Sequence, residues 1–150
     1  MDYIDRLILN CKAAKEAVPF NEFIFQDLDS LKQVKYAIYI IEDLSGDPDK
    51  TFQDYAAFKD KKLRSCARLN KPSTVMYVGS STTNLKSRIN QHLGRGYANT
   101  YALHLDHWFE GQYQITIREY DVPKEVLQII EDALSDQLKP AFGKQGANNK

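Results

Sequence analysis

Four segments of the chain carry side chains whose types and spacing could do chemistry. Two short apolar runs contain tyrosines, Ala37-Ile38-Tyr39 and Tyr77-Val78-Gly79. Taken singly, a tyrosine in such a run is more often a core or interface residue than a catalytic one. The segment Leu85-Lys86-Ser87-Arg88-Ile89-Asn90-Gln91-His92-Leu93 has helical spacing, with Leu85, Ile89 and Leu93 forming an apolar stripe. Arg88 and His92, four residues apart, lie together on the edge of that stripe and should point along the sheet surface rather than into water. A solvated helix edge is the plain alternative. Near the end of the chain, Val126, Leu127, Ile129, Ile130, Ala133, Leu134 and Leu138 make a broad apolar helix face, with Glu131 at its margin. A carboxylate there is partly desolvated unless a cation or donor meets it. It could bind Mg²⁺, which takes one or two protein carboxylates plus waters and phosphate. An edge glutamate paired with a lysine accounts for it almost as well.

These groups need elements to position them. Tyr36 to Ile41 is short, apolar and rich in β-formers, so it reads as a buried strand; Thr74 to Val78 reads as a second, halted at Gly79. A helix is expected from about Asn84 to Leu93, stopped by Gly94, and another from Pro123 to about Leu138. Tyr113 to Tyr120 alternates as a strand does, with Tyr113, Ile115 and Ile117 on one face. Asp2 to Val18 places Ile4, Leu7, Ile8, Cys11, Ala14 and Val18 at helical spacing. The pattern from Thr51, a candidate N-cap, to about Leu69 also reads as helical, with Phe52, Tyr55, Ala56, Leu63 and Ala67 apolar. Residues 20–34 give no clear period. The expected fold is α/β of the α+β type: a small, mainly antiparallel central sheet flanked by helices.

Composition narrows the class. The 150 residues suit one domain, and 43% hydrophobic content with nine tyrosines argues against disorder. Cys11 and Cys66 stand outside any zinc spacing and are expected as free thiols in a cytoplasmic protein. Neither a signal peptide nor a membrane span is indicated. The formal charge is zero, yet Lys59 to Arg95 holds nine basic residues against one acid, Asp60. Charge gathered in one stretch is what steering toward a polyanion requires, and a solvated face is the bland alternative.

Together these segments resemble the GIY-YIG nuclease family over about residues 34 to 150. Ala37-Ile38-Tyr39 corresponds to the first family motif and Tyr77-Val78-Gly79 to the second. Arg88 matches the family arginine, His92 the histidine found four residues later in many members, and Glu131 the metal-ligand glutamate. The chain departs from the pattern in four ways: Ala37 replaces a glycine, about 25 extra residues separate the tyrosine motifs, the loop before Arg88 is one residue longer, and Gly143 falls where a terminal asparagine is usual. The implied organisation is an N-terminal helical extension over residues 1–33 packed on a nuclease domain over 34–150, with a helical insertion at about 43–72.

The resemblance implies metal-dependent hydrolysis of DNA phosphodiester bonds with Mg²⁺ or Mn²⁺ and no organic cofactor. Glu131 would hold the ion, Arg88 would meet charge developing on the phosphate, and Tyr39 or Tyr77 would position or deprotonate the water, with His92 in support. Lys61, Lys62, Arg64, Arg68 and Lys86 would contact DNA, and Asn148 could supply the missing amide. Cutting both strands would call for a homodimer or a partner protein. The alternative is a catalytically inactive DNA- or protein-binding module on the same scaffold.

Overall fold

The computed structural model describes residues 1–147; Asn148 lies outside them. Four helices and four strands follow in the order α1 (Tyr3–Glu16), β1 (Asn21–Ile24), β2 (Ala37–Asp43), α2 (Pro48–Asp60), β3 (Val75–Ser81), α3 (Leu85–Leu93), β4 (Tyr113–Glu119) and α4 (Lys124–Leu138). The strands form one antiparallel sheet in the order β1-β4-β2-β3. This is the expected α+β architecture. The segment without a clear period supplies β1, which pairs with β4, and a short 3-10 turn at Leu28–Leu31.

Alternation along the strands divides the core between the two sheet faces. Ala37, Tyr39, Ile41, Ile115 and Ile117 pack with Leu85, Ile89 and Leu93 of α3 and with Tyr55 and Phe58 of α2. Ile38, Ile40 and Val78 face the other way, toward Val126, Leu127 and Ile130 of α4. Ala37 is fully buried, so a small side chain fits where it stands. The edge strand β3 is covered near its start by the chain's tail, as the Ala141 and Phe142 amides donate to the Val75 and Met76 carbonyls. The rest of that edge leads toward the candidate site.

Local chemistry sets the helix ends. Asp2 and Asp5 form a reciprocal capping box on α1. Asn84 caps α3 through the Ser87 amide, and Gly94 ends it in the left-handed region at φ +99°. Helix α1 contacts α4 but leaves Ile4, Leu7 and Ile8 exposed; Ala14 and Ala17 pack against the core beneath α4.

The segment between β2 and β3 corrects two expectations. Its helix is capped by Asp47 with Pro48 in the first turn, and Thr51 is buried inside that helix. It ends at Asp60 rather than near Leu69, because the chain reverses at Lys62 (φ 56°) and residues 65–70 turn their backbone groups to other loops. The Ser65 amide donates to Ala98, that of Asn70 to Ala141, and the Arg68 carbonyl accepts from Gly143. Leu63 is consequently exposed. Tyr55 locks the arrangement, its buried hydroxyl donating to the Ala102 carbonyl at 2.8 Å and accepting from the Ala67 amide at 2.7 Å.

Candidate active site

The pairing of β2 with β3 sets Tyr39 opposite Gly79. The Tyr39 ring crosses that glycine so closely that a Cβ there would lie 2.3 Å from the phenol oxygen. Only glycine permits this approach. Tyr39 and Tyr77 lie with rings nearly parallel, 3° apart in plane, and centroids 6.1 Å apart. Tyr39 is only 1% exposed, whereas Tyr77 is half-buried.

Arg88 joins the two hydroxyls. Its Nε donates to Tyr39 Oη at 3.2 Å and its Nη2 to Tyr77 Oη at 3.1 Å. Its Nη1 donates to Gln91 Oε1 and to the Tyr101 carbonyl. A guanidinium has five N–H donors, so these four bonds leave one on Nη2 for a further acceptor.

His92 is fully buried beside them, 3.0 Å from Tyr39 Oη through Nε2. Its Nδ1 accepts from the Leu103 amide at 3.2 Å, which puts the ring proton on Nε2 and makes the imidazole a donor to Tyr39. Burial first, then the positive charge of Arg88, holds the His92 pKa well below its usual range. The ring is therefore a neutral positioning group. Tyr39 accepts from both Arg88 and His92, and burial pushes its own pKa well above the usual phenol range, so it stays protonated. The loop carrying Tyr101 and Leu103 is the one that Tyr55 anchors through Ala102, so α2 supports both side chains from behind.

Glu131 reaches the same edge of β3 from the opposite sheet face. It is 7% exposed, and its Oε1 accepts a hydrogen bond from the Ser80 hydroxyl. Oε2 meets the Lys144 ammonium at 3.1 Å and the Gln128 amide at 3.4 Å. Lys144 also pairs with the neighbouring Asp132. Between these two halves runs β3, whose Tyr77 and Gly79 face one way and Ser80 the other.

Across the antiparallel sheet, two tyrosine strands in register, an arginine bridging both hydroxyls and a glutamate at the shared edge reproduce the pattern that suggested a nuclease. A family model for the GIY-YIG catalytic domain matches residues 67–145. The chain belongs to the GIY-YIG family. No curated protein and no solved structure matches it. The GIY-YIG match spans Tyr77, Arg88, His92 and Glu131, while Tyr39 on β2 precedes it.

The suggested DNA contacts scatter. Lys61 and Lys62 are exposed. Lys62 and Arg64 line a cleft of about 610 Å³ with Asn99 and Tyr101, beside Arg88. Arg64 is partly committed, donating to the Gly96 carbonyl. Arg68 lies apart, in a second cavity with Asn70, Lys71 and Lys139, and its Nη1 is buried with no partner among the described residues. Lys86 is paired with Asp29. Gly143 has φ +85°, and a Cβ on it would meet the Tyr77 ring at 2.5 Å. An asparagine cannot occupy that position without moving Tyr77.

Sequence reasoning missed Ser80, Asp132 and Gln91; it weighed a lysine on Glu131 without naming Lys144, which fills that place. Gln91 was within reach, three residues from Arg88 on one helix. Ser80 and Glu131 are 51 residues apart, and only the folded sheet edge joins them. Among the described residues no group of three or more histidine, cysteine or acidic side chains could hold a metal, which leaves Glu131 with Asp132 as the acidic pair at the site.

Proposed function

We propose that the chain is a metal-dependent endonuclease hydrolysing DNA phosphodiester bonds. The observation that carries this reading is the Arg88 guanidinium bonded to both tyrosine hydroxyls with one N–H in reserve, at the sheet edge that also holds Glu131. Hydrolysis builds negative charge on phosphate oxygens as water attacks and an alkoxide leaves. A fixed, permanently charged donor is suited to that charge.

Burial supports different tasks for the two tyrosines. Tyr39 is sealed beneath Gly79 and takes two donors, so it positions Arg88. Tyr77 is half-buried, and its hydroxyl takes one bond from Arg88, leaving a lone pair and its proton to align the attacking water. His92 holds Tyr39. The donor set fits a divalent ion: Glu131 is an oxygen ligand beside a second carboxylate, and both already attract one cation, the Lys144 ammonium. Mg²⁺ or Mn²⁺ held by Glu131 would supply positive charge for the phosphate and leaving oxygens.

Exposed Lys61 and Lys62, with the cleft lined by Lys62 and Arg64, support an approach for DNA backbone toward Arg88. No described helix is long and apolar enough to cross a membrane. A second reading, an inactive binding module, is favoured by Gly143 in place of an amide and by Lys144 seated on Glu131. Cleavage of supercoiled plasmid with Mg²⁺ or Mn²⁺, beside Glu131→Ala and an EDTA control, decides between them. Metal-dependent nicking lost in the variant supports the nuclease. Salt-sensitive DNA binding without any nicking would move the function to the module.

A further inference from the structure

The departure at Gly143 has a counterpart one residue later. Lys144 is 12% exposed on its side chain, and its Nζ lies 3.1 Å from Glu131 Oε2 while also pairing with Asp132. The Glu131 side chain is 10% exposed, so this ion pair is largely shielded from solvent and screened less than a surface pair. Oε1 is meanwhile taken by Ser80, which leaves neither oxygen of Glu131 without a partner.

We propose that Lys144 is an internal cation that competes with the divalent metal for Glu131 and thereby sets how tightly the chain takes up that metal. The proposal rests on the reading of Glu131 as the metal ligand. Mg²⁺ and Mn²⁺ require a carboxylate oxygen in direct contact, at about 2.1 Å for Mg²⁺, so a metal on Oε2 would sit next to the ammonium and repel it. The ammonium must leave before the metal can enter.

The lysine is carried by a segment with a glycine on either side. Lys144 stands between Gly143 (φ +85°) and Gly146 (φ +63°), two left-handed glycines where backbone torsions change at little steric cost. Gly143 is held by its amide to the Arg68 carbonyl, and the Gly146 carbonyl accepts from Ser135. The segment is thus tied at both ends, with the lysine between the ties. In the charge arrangement on α4, Gln128 contributes only a neutral amide, so among the described residues Lys144 is the cation that pairs with the two acids.

The test is Mn²⁺ binding to the full chain, followed by electron paramagnetic resonance of the free ion, with the wild type, Lys144→Met, Lys144→Gln and the double variant Glu131→Gln/Lys144→Met. Methionine keeps the apolar stem and glutamine keeps a donor; neither keeps the charge. Both single variants should bind Mn²⁺ about tenfold more tightly than the wild type, from the repulsion removed at a partly shielded site. The double variant should lose that binding. Unchanged or weaker affinity in both single variants, with folds intact by circular dichroism, would overturn the proposal and make Lys144 a support for Glu131. Binding by the wild type that Glu131→Gln/Lys144→Met abolishes would leave the metal reading standing in that case. Absence of Mn²⁺ binding in all four proteins would instead overturn the metal reading and this proposal together.

Discussion

The two halves of the site are built on different physics. On the α3 face, Arg88, Tyr39, Tyr77 and His92 form a network of one charge and three neutral groups, each satisfied by a specific partner and closed by burial. On the α4 face, Glu131 and Asp132 take neutral donors from Ser80 and Gln128 and share the charge of Lys144, which comes from a segment flanked by glycines. A network fixed by packing is part of the fold. An ion pair shared with a potential ligand is exchangeable. Pre-organisation therefore belongs to the arginine half, and the proposed metal uptake to the carboxylate half.

The largest effects should come from removing the central group of each half. Arg88→Ala and Glu131→Ala should each lower plasmid cleavage by about a thousandfold, the scale found when a group stabilising developing charge is lost. Their stabilities should differ. Arg88→Ala strips a donor from two hydroxyls and frees Gln91 and the Tyr101 carbonyl, so urea unfolding should show a loss of about 1–3 kcal/mol. Glu131→Ala leaves Lys144 paired with Asp132 and should cost clearly less. Equal losses would erase the distinction between a structural half and an exchangeable half.

Next in size is Gly143→Asn, which puts back the residue type usual in the family. The left-handed backbone and the Tyr77 ring 2.5 Å from the new Cβ should make it destabilising by about 1–3 kcal/mol and should lower activity rather than raise it. A more active, equally stable variant would show that Tyr77 has room to retreat.

Much of the scaffold was legible because it depends on local rules. Asn84 and Gly94 mark the ends of α3, the alternating Ile115 and Ile117 mark a strand face, and the tyrosine motifs name their own strands. What stayed hidden depends on contacts between distant segments. The extension of α2 through Leu69 looked sound by spacing, yet residues 65–70 bond to the loop at 98 and the tail at 141–143, which spacing cannot reveal. His92 was visible as a neighbour of Arg88, but not its tautomer, which the Leu103 amide sets. Lys144 offered no signal beyond standing next to Gly143.

A pH series tests the fixed half from another direction. Burial keeps folded His92 unprotonated, whereas an unfolded histidine takes up a proton below about pH 6.5. The unfolded state then binds more protons, so stability is complete above that pH and falls as pH drops toward 5. One fully depressed histidine gives a slope approaching about 1.4 kcal/mol per pH unit, and His104, lowered chiefly by burial, adds in the same direction. His92→Gln should flatten the slope of urea-derived stability between pH 7 and 5. An unchanged slope would mean that the imidazole is not held neutral against Tyr39.

The smallest effect concerns the approach to the site rather than the site itself. Arg64 is partly bound to the Gly96 carbonyl and Lys86 is paired with Asp29, so the exposed Lys61 and Lys62 are the better candidates for phosphate contacts. Each phosphate neutralised contributes about 0.9 to the slope of log affinity against log salt. Lys61→Ala/Lys62→Ala should therefore lower that slope by up to about two, weaken DNA binding several-fold at low salt, and leave stability unchanged. The matching control is Lys12→Ala/Lys15→Ala on exposed α1, across the sheet from Arg88, which should leave the slope as it was. Equal changes in both pairs would mean that DNA meets the whole surface through net charge alone. The turn at Lys62 would then have no part in guiding a strand toward the arginine half.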